Sequence, residues 1–172
     1  HTVYKALQRL RDKGFQVEHT LIGDGDDREE ILSLIDQLGL KPITRWLGTQ
    51  PHRVVLKHYR KADLFVLGCE VAPDGDRDGI PNVFLESMAM GVPVVTTKVS
   101  AIPELLEHER TGLLVPPGEP EKMADAMSRL LTERPLRERI ISQARDRVVR
   151  DFNNKTHITE LAALYRKEGI IA

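Results

Sequence analysis

A single cysteine, Cys69, occurs in the 172 residues of this chain. One thiol excludes an internal disulfide framework and every metal site that needs several cysteines, and it points to a reducing compartment. Aromatic residues make up only 5% of the chain, and no apolar run approaches the roughly 18 residues that a spanning helix needs. An excess of either charge is missing too: 25 basic side chains stand against 26 acidic ones. No global field is available to attract nucleic acid or an anionic membrane. The six histidines are scattered without H-x3-H spacing, so they do not suggest a metal site.

What is present is the balance of a globular α/β domain, with 41% apolar and 30% charged residues in a length that suits one domain. Val3, Leu7 and Leu10 recur at helical spacing and Gly14 follows as a C-cap. Residues 15–22 read as a strand, stopped by the Gly23-Asp24-Gly25-Asp26 turn, and 27–38 as a helix. The alternation continues with strand 43–47, helix 51–61 and strand 63–67. After a polar loop come helix 82–90, strand 92–97, a short helix at 103–107 and strand 112–115. Three helical stretches close the chain, near 119–132, 135–150 and 153–167. Five strands alternating with helices predict an open, Rossmann-like, doubly wound parallel sheet. The chain opens on a helix at His1, with neither an initiator Met nor a signal-peptide core. The reading is therefore one domain, residues 1–172, cut from a longer chain and lacking the strand that would lead into the first helix.

The loop CEVAPDGDRDGIP joins the apolar strand DLFVLG to the helix NVFLESMAMG, which puts residues 78–83 where a strand's carboxyl end meets a helix N-terminus. Free amides and the positive end of the helix dipole favour a diphosphate there, and Gly79 permits close backbone approach. Glu86 sits about one turn further in, where a carboxylate can accept hydrogen bonds from the vicinal diol of a ribose; Asp78 can do the same for a sugar hydroxyl. Diphosphate between two diol binders describes a nucleotide-sugar.

These residues carry a resemblance. DGIPNVFLESMAMGVPVVTT, with IPELL, TGLLVPPGEPEKMADAM, IGDGDDREEI, the WLG turn and YRKADLFVL, resembles the C-terminal domain of GT-B retaining glycosyltransferases of group 1. The nearest subgroup is the exopolysaccharide enzymes of colanic-acid type, which extend lipid-linked sugars. Their acidic-x7-Glu signature maps onto Asp78 and Glu86. The resemblance implies that Glu86 binds the ribose and Asp78 the donor hexose, and that Gly79, Ile80, Pro81, Asn82 and Val83 face the diphosphate and sugar, although Pro81 has no N–H to give. Gln50 would border the base. Where the family usually has Glu, this chain has Asp78, one methylene shorter, a change of reach that bears on donor choice.

The resemblance further implies a UDP- or GDP-sugar donor, no metal or other cofactor, and a glycan or lipid-linked acceptor held by an absent N-terminal domain. The family's Arg and Lys that neutralise the leaving diphosphate would precede His1, so no catalytic residue is assigned within the chain, which alone is expected to bind donor weakly and transfer nothing. The expected location is cytoplasmic, with the full-length enzyme peripheral to the inner face of the membrane. Residues 153–172 resemble the helix that crosses back onto the missing domain, and its apolar face is open to pairing between copies.

Other readings lie on the same residues. Asp74, Asp76, Asp78 and Gly79 match positions in an EF-hand loop, but Leu85 occupies the closing acidic position and a strand precedes the loop. The D-x-D within it is taken as coincidence. Ser87 lacks a G-x-S-x-G elbow, and Cys69 reads as packing. Trp46 suits either base stacking or core. A nucleotide-sugar epimerase or hydrolase on the same scaffold and a non-catalytic α/β binding module are the rival functions.

Overall fold

The computed structural model describes residues 1–72 and 74–170. Its elements follow in the order α1 (Thr2–Asp12), β1 (His19–Leu21), α2 (Arg28–Gln37), β2 (Thr44–Trp46), α3 (His52–Tyr59), β3 (Phe65–Leu67), α4 (Asn82–Ala89), β4 (Val94–Thr97), α5 (Ile102–Leu105), β5 (Leu113–Val115), α6 (Pro120–Thr132), α7 (Arg134–Asp151) and α8 (Asn154–Lys167). Every element expected from the sequence is present, with the strands shorter than the apolar runs that mark them. All strand pairs are parallel.

The five strands do not form one continuous sheet: β1 pairs with β2, and β3, β4 and β5 form a separate three-stranded sheet in that order. In a doubly wound order the strand leading into α1 would lie between β1 and β3. The described residues hold no such strand, so β1 and β3 each keep an unpaired edge. Accordingly β3, although wholly apolar, is only half-buried, whereas β4 and β5 are buried throughout.

Side-chain alternation builds three layers. Val66, Val95, Leu113 and Val115 point into a core with Leu7 and Leu10 of α1 and Met123, Met127 and Leu130 of α6. Phe65, Leu67, Val94 and Leu114 point the other way, against Phe84 and Met88 of α4, Ile102 and Leu105 of α5, and Ala144 of α7. Period-two alternation thus puts helices on both faces of the larger sheet. The β-branched run Val94-Val95-Thr96-Thr97 suits a buried strand. Its hydroxyls are not orphaned: Thr96 Oγ1 donates to the Leu67 carbonyl at 2.7 Å and Thr97 Oγ1 to that of Cys69. These bonds tie the carboxyl end of β3 to β4.

The turn from α4 into β4 requires Gly91, whose φ is 75°. Its N–H donates to the Met88 carbonyl at 3.1 Å and that of Val92 to the Ser87 carbonyl at 3.0 Å, a paired closure of the helix end. On α8, Ile158, Leu161, Leu164 and Tyr165 are exposed.

Two stability predictions follow from this packing. A Cβ on Gly112 would lie 2.9 Å from Cδ2 of the buried Leu106 and 3.2 Å from the Val94 carbonyl oxygen. Gly112→Ala should therefore destabilise the fold by about 1–3 kcal/mol, read by denaturant unfolding. Burial lowers His19 from 6.5 to about 4. The unfolded chain protonates this ring first, so its contribution is complete above about pH 6.5 and is lost as pH falls toward 4. Unfolding at pH 7.5 and pH 5 should show a smaller loss for His19→Gln than for the parent chain.

Candidate functional site

The candidate site lies where the loop after β3 enters α4. Pro81 sits immediately ahead of the helix with φ −59° and ψ 127°, and no side chain caps it. Phe84 N–H already donates to the Pro81 carbonyl at 3.1 Å, while the amides of Asn82 and Val83 occupy the open first turn. Phe84, Ser87 and Met88, spaced i, i+3, i+4, are buried against the sheet. Glu86 therefore faces away from the core, and its side chain is 30% exposed.

On its outer side Glu86 meets α3. His52 Nε2 lies 3.3 Å from Glu86 Oε1. Two turns later on α3, the buried Tyr59 donates its hydroxyl to the Val83 carbonyl at 3.2 Å. Desolvation, and then the negative charge of Glu86, push the Tyr59 hydroxyl well above its ordinary value. Sequence reasoning assigned neither His52 nor Tyr59 to this site. The only signal was position: Pro51-His52 begins the helix directly after the Gly48 turn.

Asp78 lies exposed near the carboxyl end of β3, close enough to Cys69 that its charge, after burial, raises that thiol to about 11. Cys69 is thus a poor nucleophile at neutral pH. Gly79 is exposed with open space around it, and Ile80 packs partly against the α4-side core, anchoring the loop between the two acids. Gln50, on the loop after β2, turns its amide back to the Leu47 carbonyl at 2.6 Å.

The acidic loop ties itself. Asp76 N–H donates to Asp74 Oδ1 at 3.0 Å, and Ala72 N–H to the Asp76 carbonyl at 2.9 Å. Among the described residues no group of three or more His, Cys, Asp or Glu side chains is placed to hold a metal ion. Trp46 donates its indole N–H to the Gly23 carbonyl at 3.0 Å, and the Arg28 guanidinium sits 4.2 Å from the ring centroid. Its place is beside the Gly23–Gly25 turn, which it braces. Ser87 Oγ donates to the Val92 carbonyl at 3.0 Å and serves packing.

The family model for glycosyl transferases group 1 matches residues 1–147. This chain belongs to that family. The group 1 domain is 34% identical over 167 residues to a putative colanic acid biosynthesis glycosyltransferase, WcaL, of Escherichia coli, covering 95% of this chain and 41% of that protein. It is 32% identical over 163 residues to the amylovoran biosynthesis glycosyltransferase AmsK of Erwinia amylovora, covering 95% of this chain and 40% of that one. The chain thus spans about two fifths of the length of these relatives. A crystal structure of HepE from Anabaena in complex with UDP-glucose superposes with a TM-score of 0.84 at 26% identity, over 97% of this chain and 44% of HepE. The Rossmann-like fold expected from the sequence is that of these GT-B neighbours, and among the described residues no helix is long and apolar enough to cross a membrane.

Because Tyr59 is buried and its hydroxyl joins α3 to α4, Tyr59→Phe should cost about 1 kcal/mol of stability in urea unfolding while keeping the fold.

Proposed function

We propose that the chain is the donor-binding half of a retaining glycosyltransferase, and that the full-length protein moves a hexose from a nucleoside diphosphate to a growing glycan or lipid-linked acceptor in cell-surface polysaccharide synthesis. The observation that carries this reading is the uncapped N-terminus of α4 with the half-buried Glu86 one turn inside it. Amides of Asn82 and Val83 and the positive end of the helix dipole would meet the diphosphate, and Gly79 would let the chain approach it. Glu86 would accept the ribose hydroxyls and Asp78 a hydroxyl of the hexose. Gln50 would lie toward the base. The similarity to HepE, which was crystallised with UDP-glucose, and to two exopolysaccharide glycosyltransferases supports the donor class and the pathway type.

In this mechanism the chain contributes binding and electrostatics rather than a nucleophile. Charge develops on the β-phosphate as the glycosidic bond to the donor breaks, and the fixed amide dipoles of α4 stabilise that charge without reorganising. No metal is invoked. The acceptor and the remaining cationic groups are assigned to the part of the full-length enzyme outside this chain, which works at the cytoplasmic face of the membrane.

Calorimetric titration with UDP, GDP and ADP tests the site. One of the three should bind with a dissociation constant at or below the millimolar range, and Glu86→Ala should weaken it about tenfold or more, the loss expected when hydrogen bonds to a charged acceptor disappear. Absence of binding by all three, or an affinity indifferent to the substitution, contradicts the assignment.

A further inference from the structure

We propose that His52 is a positioning residue for the nucleotide: its Nε2–H orients the Glu86 carboxylate toward the vicinal hydroxyls of the ribose. This rests on the reading of Glu86 as the ribose acceptor. The distance from His52 Nε2 to Glu86 Oε1 is 3.3 Å. Both the Nε2–H tautomer and the imidazolium place an N–H at this contact, so the proposed role is open to the neutral and the charged ring.

The contact is held by the fold rather than by two free side chains. His52 and Tyr59 are seven residues apart, about two turns, and share one face of α3. Val83 and Glu86 are three apart and share one face of α4. Tyr59 is anchored to the Val83 carbonyl at 3.2 Å, so α3 touches α4 at two points, one at the Val83 backbone and one at the Glu86 side chain. The backbone ahead of His52 is set by Pro51, with φ −57° and ψ 142°. An ionised carboxylate accepts at about four lone-pair positions. A donor from His52 at Oε1 would leave Oε2 and part of Oε1 for two hydroxyls. The His52 side chain is 64% exposed against 30% for Glu86, so the imidazole forms the outer wall of the site. A contact with one solvent-exposed partner adds little to folding, and its consequence is expected in ligand binding instead.

The test titrates the chain and its His52→Ala, His52→Gln and Glu86→Ala variants with UDP, GDP and ADP, and with the 2′,3′-dideoxy form of whichever binds best. His52→Ala should melt within about a degree of the parent chain, as surface substitutions do, and weaken the best nucleotide about three- to tenfold, the range of one net hydrogen bond. His52→Gln, whose amide can donate to the same oxygen, should recover part of that loss. The dideoxy nucleotide, which has no ribose hydroxyls, should bind the parent chain and His52→Ala alike. If His52→Ala binds as the parent does while Glu86→Ala is weakened, the role of His52 is overturned and the donor-site reading stands. An equal loss with the dideoxy form also overturns it, because His52 would then contact another part of the ligand. A parent chain that binds none of the three nucleotides, or a Glu86→Ala variant that binds as the parent does, overturns both.

Discussion

The burial of one face of α4 against the larger sheet is the constraint on which the site depends. Phe84, Ser87 and Met88 are buried, and the Ser87 hydroxyl and carbonyl both bond to Val92 at the start of the return to β4. A helix advances about 100° per residue, so fixing Phe84 inward turns Glu86 outward by about 200°. A shift of one residue in this register would carry Glu86 toward the core, where an unpaired carboxylate is expensive. The position of a polar group is therefore decided by the packing of apolar ones.

Closure of the same region comes from two further ties. Thr96 and Thr97 bond to the carbonyls at the carboxyl end of β3, holding the start of the loop that carries Asp78. Tyr59 bonds to Val83, which brings α3 and the loop after β2 alongside α4. Residues that follow two separate sheets thereby meet: His52 and Tyr59 follow β2, whereas Val83 and Glu86 follow β3. Parallel strands favour this convergence, because they send their carboxyl-end loops in one direction.

Much of the fold was legible because its signals are local. Gly14 closes α1, Pro120 opens α6, and the β-branched run at 94–97 forms the most buried strand. The break between the two sheets was not legible, since apolar periodicity tells which residues form strands but not which edges pair. The acids Asp78 and Glu86 stood out through spacing and through their place between a strand and a helix. His52 did not, because its meaning lies in a contact across 34 positions of chain, and a lone histidine at a helix start carries no motif. Trp46 remained ambiguous for the same reason: its partners, Gly23 and Arg28, are distant in sequence.

The order of elements, the parallel α/β class, the family and the two acids around an open helix N-terminus were determined by the sequence itself, since propensity, turn chemistry and spacing act over a few residues. Only the tertiary structure decided that the strands fall into two sheets, that Trp46 braces the Gly23–Gly25 turn, and that His52 stands against Glu86. Those outcomes depend on which surfaces meet, and that is set by long-range burial that no local pattern encodes.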